Sequence, residues 1–228
     1  MWYTEEALKT LQTNPTLSDL YRYMSNKLRG PQYIKESHAY HTVLSTLALA
    51  HRPLYLTELK SLVYLPRRVD LADIVRSYSA VVQKQDGIIS LRHDTVRDFV
   101  RNELLDPVAI SETHLRIVKL CFEYLSNNLH KRESLLPEQD QKKLHSNTSI
   151  AGSYASLGWM THIPEISSVF ENLEVLEALD CFLNQHVLSW TNSLASINAI
   201  SHAISQISKL DFVLRSMVSY YHVLQLRS

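Results

Sequence analysis

The run Leu91-Arg92-His93-Asp94-Thr95-Val96-Arg97-Asp98-Phe99 holds the residue types best suited to chemistry in this chain. His93 and Asp94 fall where the second strand of a hairpin, turning on Asp86-Gly87, hands over to a helix. An imidazole at such a junction can donate a hydrogen bond to an anionic oxygen, and the free amides of the adjoining helix N-terminus favour negative charge beside it. Asp94 would then be a structural partner, capping amides or holding nearby backbone, because a carboxylate repels an anionic ligand. These two residues are the expected functional pair.

Other constellations assemble less. His38 and His41 form an H-x-x-H on a helix, but no Cys or third ligand stands at useful spacing, so they read as surface or packed histidines and no metal is expected. Ser90, His93 and Asp94 are too close in sequence to make a triad without contorted backbone, and Gly152-Ser153-Tyr154-Ala155-Ser156 is not a nucleophile elbow. No G-x-x-x-x-G-K-[ST] occurs, and 4 scattered glycines cannot build a phosphate-cradling loop. No apolar strand ending in paired acids stands ahead of the helices that precede this hairpin, from about residue 32, to hold magnesium. The expectation is a non-enzyme with no cofactor of its own. Arg67-Arg68, Arg97 and Arg101 are candidate basic contacts, for which solvated faces are the commoner explanation.

The elements that position the pair belong to a 228-residue chain with 45% hydrophobic residues, enough for one large or two small cores. Lys and Arg total 23 against 23 Asp and Glu, so net charge gives no pull towards nucleic acid or anionic membrane. The start, Met1-Trp2-Tyr3-Thr4-Glu5-Glu6, lacks the basic and apolar regions of a signal peptide, and no later run resembles a spanning helix. A soluble cytoplasmic protein is expected. Cys121 and Cys181, isolated in apolar helical patterns, read as buried thiols of a reducing compartment. With 4 Gly and 7 Pro used as punctuation, the fold class expected is mainly α.

In chain order, Glu5 to Leu11 predicts a short helical tail broken at Asn14-Pro15, and Thr16 with Asp19 predicts a capping box before a helix with Leu17, Leu20, Tyr21, Met24 and Leu28 on one face, stopped at Gly30-Pro31. A helix from about Glu36 to His51 buries Tyr40, Val43, Leu44 and Leu47. Pro53 to Leu56 is extended, Thr57 caps a short helix with Leu59, Leu62 and Val63, and a third helix carries Leu71, Ile74, Val75 and Tyr78 behind Asp70. The hairpin spans Val81 to Arg92, and a helix follows in which Thr95 and Asp98 are spaced as a capping box. Helix, strand, helix, helix, hairpin is the order of a winged helix: three helices plus a small β-hairpin. An α-helical bundle or superhelical region follows. It comprises a helix capped by Ser111, a polar loop near 131–148, a helix around Tyr154 to Met160, and long helices from Ile166 to Leu188 and Leu194 to Leu226. Val169, Leu173, Leu176, Leu183 and Val187, and then Ile197, Ile200, Ile204 and Ile207, recur at three- and four-residue steps, as stripes buried between antiparallel helices in one chain or, second, in a coiled-coil dimer. Trp159 and Trp190 are expected as core anchors.

At several points the chain resembles a known family. Glu6-Ala7-Leu8-Lys9-Thr10-Leu11 with Leu17-Ser18-Asp19-Leu20-Tyr21 is similar to the segment closing the nucleotide-binding module of fungal NACHT-type (STAND, NLR-like) signalling ATPases. Arg52-Pro53-Leu54-Tyr55-Leu56-Thr57-Glu58-Leu59 resembles their winged-helix signature, in a family also named after a GPI inositol-deacylase. Arg92 to Phe99 resembles the histidine element of that winged helix and the Met-His-Asp motif of NB-ARC switch proteins, with Arg92 in place of methionine. His114 to Leu125 and Tyr154 to Trp159 resemble the helices that follow.

The resemblance implies residues 1–31 as the end of the NACHT helical region, 32–108 as the winged-helix domain and 109–228 as a C-terminal helical domain. It implies that His93 reaches the β-phosphate of ADP and holds the module closed. Since the phosphate loop is lacking, the chain is expected to be a non-catalytic regulatory or interaction segment. A NACHT-type nucleotide-binding module, in cis or in trans, would bring the ADP, and other protein partners are implied. The chain would be a piece of a larger switch ATPase or a short paralogue. The alternative is a DNA-binding winged-helix regulator reading with the helix from Asp70 to Tyr78, which offers Asp70, Asp73 and only Arg76, a poor match to phosphates. Neither a membrane nor nucleic acid is an expected partner. The deacylase label transfers no esterase activity, because no site assembles.

Overall fold

The computed structural model describes Thr16, Asp19, Tyr21, Arg22 and residues 34–133, 154–167 and 173–225. These residues are mainly helical, with one three-stranded antiparallel sheet. Thr16 and Asp19 form the expected box: Asp19 Oδ2 accepts from Thr16 N–H at 3.0 Å, and Thr16 Oγ1 accepts from Asp19 N–H at 3.2 Å. The expected tail at Glu5 to Leu11, the break at Asn14-Pro15, the stop at Gly30-Pro31 and nearly all of the polar loop near 131–148 lie outside the described residues.

Helix α1, Ile34–Leu49, buries Ala39, Val43, Leu44, Leu47 and Ala48. Arg52-Pro53 prevents its continuation, and the chain enters β1, Leu54–Tyr55. Helix α2, Leu56–Ser61, starts two residues earlier than expected: Tyr55, not Thr57, is its N-cap, and the Glu58 carboxylate reaches back to Tyr55 N–H at 2.9 Å. Helix α3, Leu71–Ser77, has Asp70 at its start as expected, and the carboxylate goes further than suiting the dipole: it is the N-cap and accepts from Ala72 N–H. Strands β2, Val82–Gln85, and β3, Ile88–Leu91, meet at a two-residue turn with Asp86 at φ 52° and Gly87 at φ 80°. Two consecutive left-handed residues match the right-handed twist of the paired strands. The sheet order is β1-β3-β2, with Leu54 opposite Ile89 and Val82 opposite Leu91, so that Leu54, Val82 and Ile89 all enter the core.

Helix α4, Asp94–Phe99, runs into a π-helical turn, Val100–Leu104, closed by Leu105 N–H on Val100 O at 3.0 Å. Helix α5, Pro107–Glu133, is capped by Asp106, whose carboxylate accepts from Ala109 N–H at 2.7 Å, with Pro107 as first residue. Ser111 therefore lies inside the helix rather than capping it, and its hydroxyl accepts from Ser167 N–H instead. Helix α6 covers 154–162 and tightens into a 3₁₀ turn, Ile163–Glu165. Helices α7, Leu173–Ser196, and α8, Ile200–Gln225, complete the chain. They break at Asn198, φ 53°, so Leu194 lies in the last turn of α7 rather than starting α8, and α7 begins after the expected Ile166. Asn tolerates that left-handed conformation, and Leu194 O accepts from both Ile197 and Ala199 N–H as the helix closes.

The two long helices turn inward on a different face from the expected one. Val175, Phe182, His186, Trp190 and Leu194 are buried in α7, whereas Leu183 and Val187 are exposed; Ala203 and Leu210 are buried in α8, whereas Ile200, Ile204 and Ile207 are exposed. One residue is a 100° rotation, and both registers repeat at helical spacing. The aromatic payload decides between them. Phe182 stacks on Phe122 at 5.1 Å between ring centroids and lies edge-on to Trp159 and Trp190, and Trp190 Nε1–H donates to Ser156 O at 3.0 Å. Trp159 and Trp190 are thus core anchors, as expected.

Gly158 in α6 faces the Tyr154 ring so closely that a Cβ would sit 2.6 Å from Tyr154 Cε1. Alanine favours a helix over glycine by about 1 kcal/mol, yet overpacking against a ring held at both ends costs about 1–3 kcal/mol. Gly158→Ala should therefore lower the urea midpoint of unfolding; an unchanged or raised midpoint would show that the ring can give way.

Candidate functional site

Two polar sites emerge, one on the surface and one inside. On the surface, His93 is exposed and is itself the N-cap of α4. Its Nδ1 accepts from Thr95 N–H at 3.2 Å and lies 2.9 Å from Thr95 Oγ1. An Nδ1 that accepts a backbone N–H carries no proton in the neutral ring, so the proton is on Nε2. Thr95 Oγ1–H is then the donor to Nδ1, and Tyr21 Oη, 3.1 Å from Thr95 Oγ1, supplies the next hydroxyl proton. Tyr21 also packs its ring on Phe99 at 5.5 Å, and Arg22 pairs with Glu103, so this early segment rests on α4 and the π turn.

Two expectations change here. Thr95 and Asp98 do not form the cap of α4, because the helix starts at Asp94 and the His93 ring occupies the capping position. Asp94 is exposed as the first helical residue and makes no hydrogen bond from its carboxylate to a described residue, so the capping role foreseen for it belongs to His93. Its charge still suits a helix N-terminus. The flanking arginines are used structurally: Arg92 Nε donates to Ser79 O at 2.6 Å, and Arg97 Nη1 donates to the carbonyls of Ala48 and Ala50 at 2.8 and 3.0 Å. On α3, Asp70 caps the helix and Asp73 pairs with Arg76 at 3.1 Å, while Arg67 and Arg68 before it are exposed. Cys121 is buried as expected, but Cys181 is exposed on α7.

The interior site was not foreseen as polar. Glu58, with no exposed surface, receives Arg52 on both oxygens, Nη2 to Oε1 at 2.7 Å and Nη1 to Oε2 at 2.8 Å. Tyr55 N–H adds to Oε2 at 2.9 Å and Tyr154 N–H to Oε1 at 3.0 Å. The Arg52 guanidinium sits 5.0 Å over the Tyr154 ring, whose other neighbour is the His51 imidazole, stacked at 4.6 Å. Burial pulls the Arg52 guanidinium towards neutrality, but hydrogen bonds and charge from Glu58 outweigh it and raise its pKa. Beyond this, Tyr154 Oη lies 2.8 Å from His162 Nε2, and His162 Nδ1 lies 2.6 Å from His114 Nδ1. Burial, then the nearby Arg101 charge, lowers His114 to about 4; burial, then His114 and His51, holds His162 well below the ordinary histidine range. Among the described residues, no cluster of His, Cys, Asp or Glu has the arrangement of a metal site, and no helix is long and apolar enough to cross a membrane.

No family model, curated protein or solved structure matches this chain. The surface histidine and the buried clasp therefore rest on geometry alone.

The clasp makes a direct prediction. Removing one partner of a buried, hydrogen-bonded ion pair costs about 3–5 kcal/mol. Glu58→Ala should lower unfolding stability by that order in a urea titration, and Glu58→Gln by clearly less, since the amide keeps the shape and one acceptor. Equal losses from both would show that the charge, which both variants remove, carries the whole effect and that the retained shape and acceptor add nothing.

Proposed function

We propose that this chain is a non-catalytic regulatory segment of a NACHT-type signalling ATPase, in which a winged helix presents His93 to ADP held by a separate nucleotide-binding module. The observation that carries this reading is the committed face of the His93 ring. With Nδ1 engaged by Thr95, Nε2–H is left as a donor on an exposed residue at a helix N-terminus, where an anionic oxygen is favoured. The order α1, β1, α2, α3, hairpin, with β1 paired to β3, supports the winged-helix assignment. The seat of Tyr21 on Thr95 and Phe99 is further support, because the resemblance makes the residues around Tyr21 the end of the nucleotide-binding module. Arg52-Pro53-Leu54-Tyr55-Leu56-Thr57-Glu58 gains a physical reason from the clasp, as its Arg and Glu are the ion pair.

In this role the segment does no bond-making. ADP would be cradled by the partner module, and the imidazole would add one charge-assisted hydrogen bond that is lost when the modules separate, worth about 1.5–3 kcal/mol in favour of the closed form. Asp94 would tune the helix terminus without touching phosphate.

Co-purification with a NACHT-type nucleotide-binding module tests this. Binding should be tighter with ADP than with ATP, and His93→Ala should weaken the ADP complex about 10- to 100-fold while leaving the thermal stability of the chain nearly unchanged, apart from the lost cap. Equal binding in both nucleotide states, or an indifferent His93→Ala, removes the sensing role.

A further inference from the structure

The Tyr154–His162–His114 chain joins two helices from different parts of the fold and ends against a third region, the Arg52–Glu58 clasp. His114 lies in α5, His162 at the end of α6, and Tyr154 at the other end of the described α6, against His51 and the Arg52–Glu58 pair. All three side chains are buried. Their protons can be assigned by following the donors. A phenol hydroxyl is a good donor and a neutral imidazole nitrogen a good acceptor, so Tyr154 Oη–H donates to His162 Nε2. His162 then carries its proton on Nδ1 and donates it to His114 Nδ1, which leaves the His114 proton on Nε2. That nitrogen is buried with no hydrogen-bond partner. The chain is therefore complete in one direction and ends on a stranded N–H, with every imidazole neutral.

An added proton has no good place. Two Nδ1 atoms 2.6 Å apart can share one hydrogen, and if both rings were cations two hydrogens would meet there. The surroundings do not compensate. Arg101 from the π turn acts on His114, and His51 and the Tyr154 hydroxyl adjoin His162; around His51 and Tyr154 in turn stand Arg52 and Glu58, His202 from α8 and the Cys121 thiol. Glu58 is the carboxylate among these groups, and Arg52 already holds both its oxygens. A buried imidazolium here lacks a counter-charge, so protonation favours any conformation that brings the rings to water.

We propose that the Tyr154–His162–His114 chain is a proton-operated latch that keeps α6 closed on α5 and on the Arg52–Glu58 clasp while both imidazoles are neutral, and releases α6 when they are protonated. In the released form the two rings titrate as exposed histidines near 6.5. The sign follows. The open form binds more protons than the closed form below about pH 6.5, so closure is full above that value and weakens as pH falls towards about 4, where His114 would protonate in place. Two linked protons raise the opening constant by up to roughly 100-fold per pH unit in that window. This proposal is independent of the nucleotide reading of His93.

Hydrogen exchange read by mass spectrometry on the intact chain, at pH 7.5 and pH 5.5 and corrected for intrinsic exchange, tests the latch. Amides of 154–162 should lose protection by about 100-fold between the two, while those of β2 and β3 keep theirs. His162→Gln, which can bond at both ends but cannot take a proton, should reduce the dependence from about two protons to about one. If that variant does not fold, histidine side-chain NMR on the unaltered chain decides: the closed-state signals of His114 and His162 should stay neutral at pH 6. Two results overturn the latch: either ring titrating near 6.5 with α6 still protected, or protection in α6 and the hairpin falling together.

Discussion

A full negative charge sits at Glu58 where no water reaches, and the surrounding structure must supply what water would have supplied. Isolated, such a carboxylate would cost several kcal/mol; here each oxygen accepts from the Arg52 fork and from one backbone amide. The two amides come from places far apart in the chain. Tyr55 N–H belongs to the start of α2, and Tyr154 N–H to the described beginning of α6. A single side chain therefore caps its own helix, fixes the exit of α1 through Arg52, and anchors the C-terminal helices. Apolar burial alone could slide along such an interface, whereas a satisfied carboxylate accepts only one geometry. We read the ion pair as a device of specificity more than of net stability, since buried pairs often gain little over an apolar replacement.

The hydrophobic core then closes around this fixed point. Leu54, Leu59 and Ile89 bury the sheet side, while Phe122, Trp159, Phe182 and Trp190 bury the helical side, in one connected cluster. The rings explain why α7 presents the face it does. A row of Leu and Val at the right period competes with a row holding Phe182 and Trp190, and two large aromatics meeting two others recover more buried surface. The cost is visible on the outside, where Leu188 is 79% exposed and Phe212 73%.

What the sequence discloses and what it hides divide along the range of the interactions. The hairpin was legible because Asp86-Gly87 demands positive φ at both residues, a local demand with a local solution. The mainly helical class and the β1–α2–α3 order were legible from period and punctuation. His93 was found as a junction residue, but its capping role was assigned to Thr95, Asp98 and Asp94, because Ser, Thr, Asp and Asn dominate helix caps and an imidazole seldom takes their place. The burial of Glu58 was not legible at all: its one local signal is a carboxylate three residues after Tyr55, and its decisive partner is 96 positions away. The phase of α7 was hidden for the same reason, as period fixes spacing around a helix but not which neighbour waits on each side.

The surface histidine and the interior clasp are joined by a short physical route. His93 caps α4, and three residues into that helix Arg97 sends its guanidinium to the carbonyls of Ala48 and Ala50. Those carbonyls end α1, directly before His51, which stacks on Tyr154, and Arg52, which grips Glu58. A tilt of α4 that moved Arg97 would leave two buried carbonyls unsatisfied or drag residues 48–52 with it, and the second is the less costly. A contact made at His93 is thus mechanically linked to the element that fixes the C-terminal helices, through rigid hydrogen-bonded steps rather than through loose packing. Such a linkage transmits only if it has two arrangements to choose between. The neutral and protonated states of the Tyr154–His162–His114 chain are the pair of arrangements this interior offers, and they lie at the far end of that route.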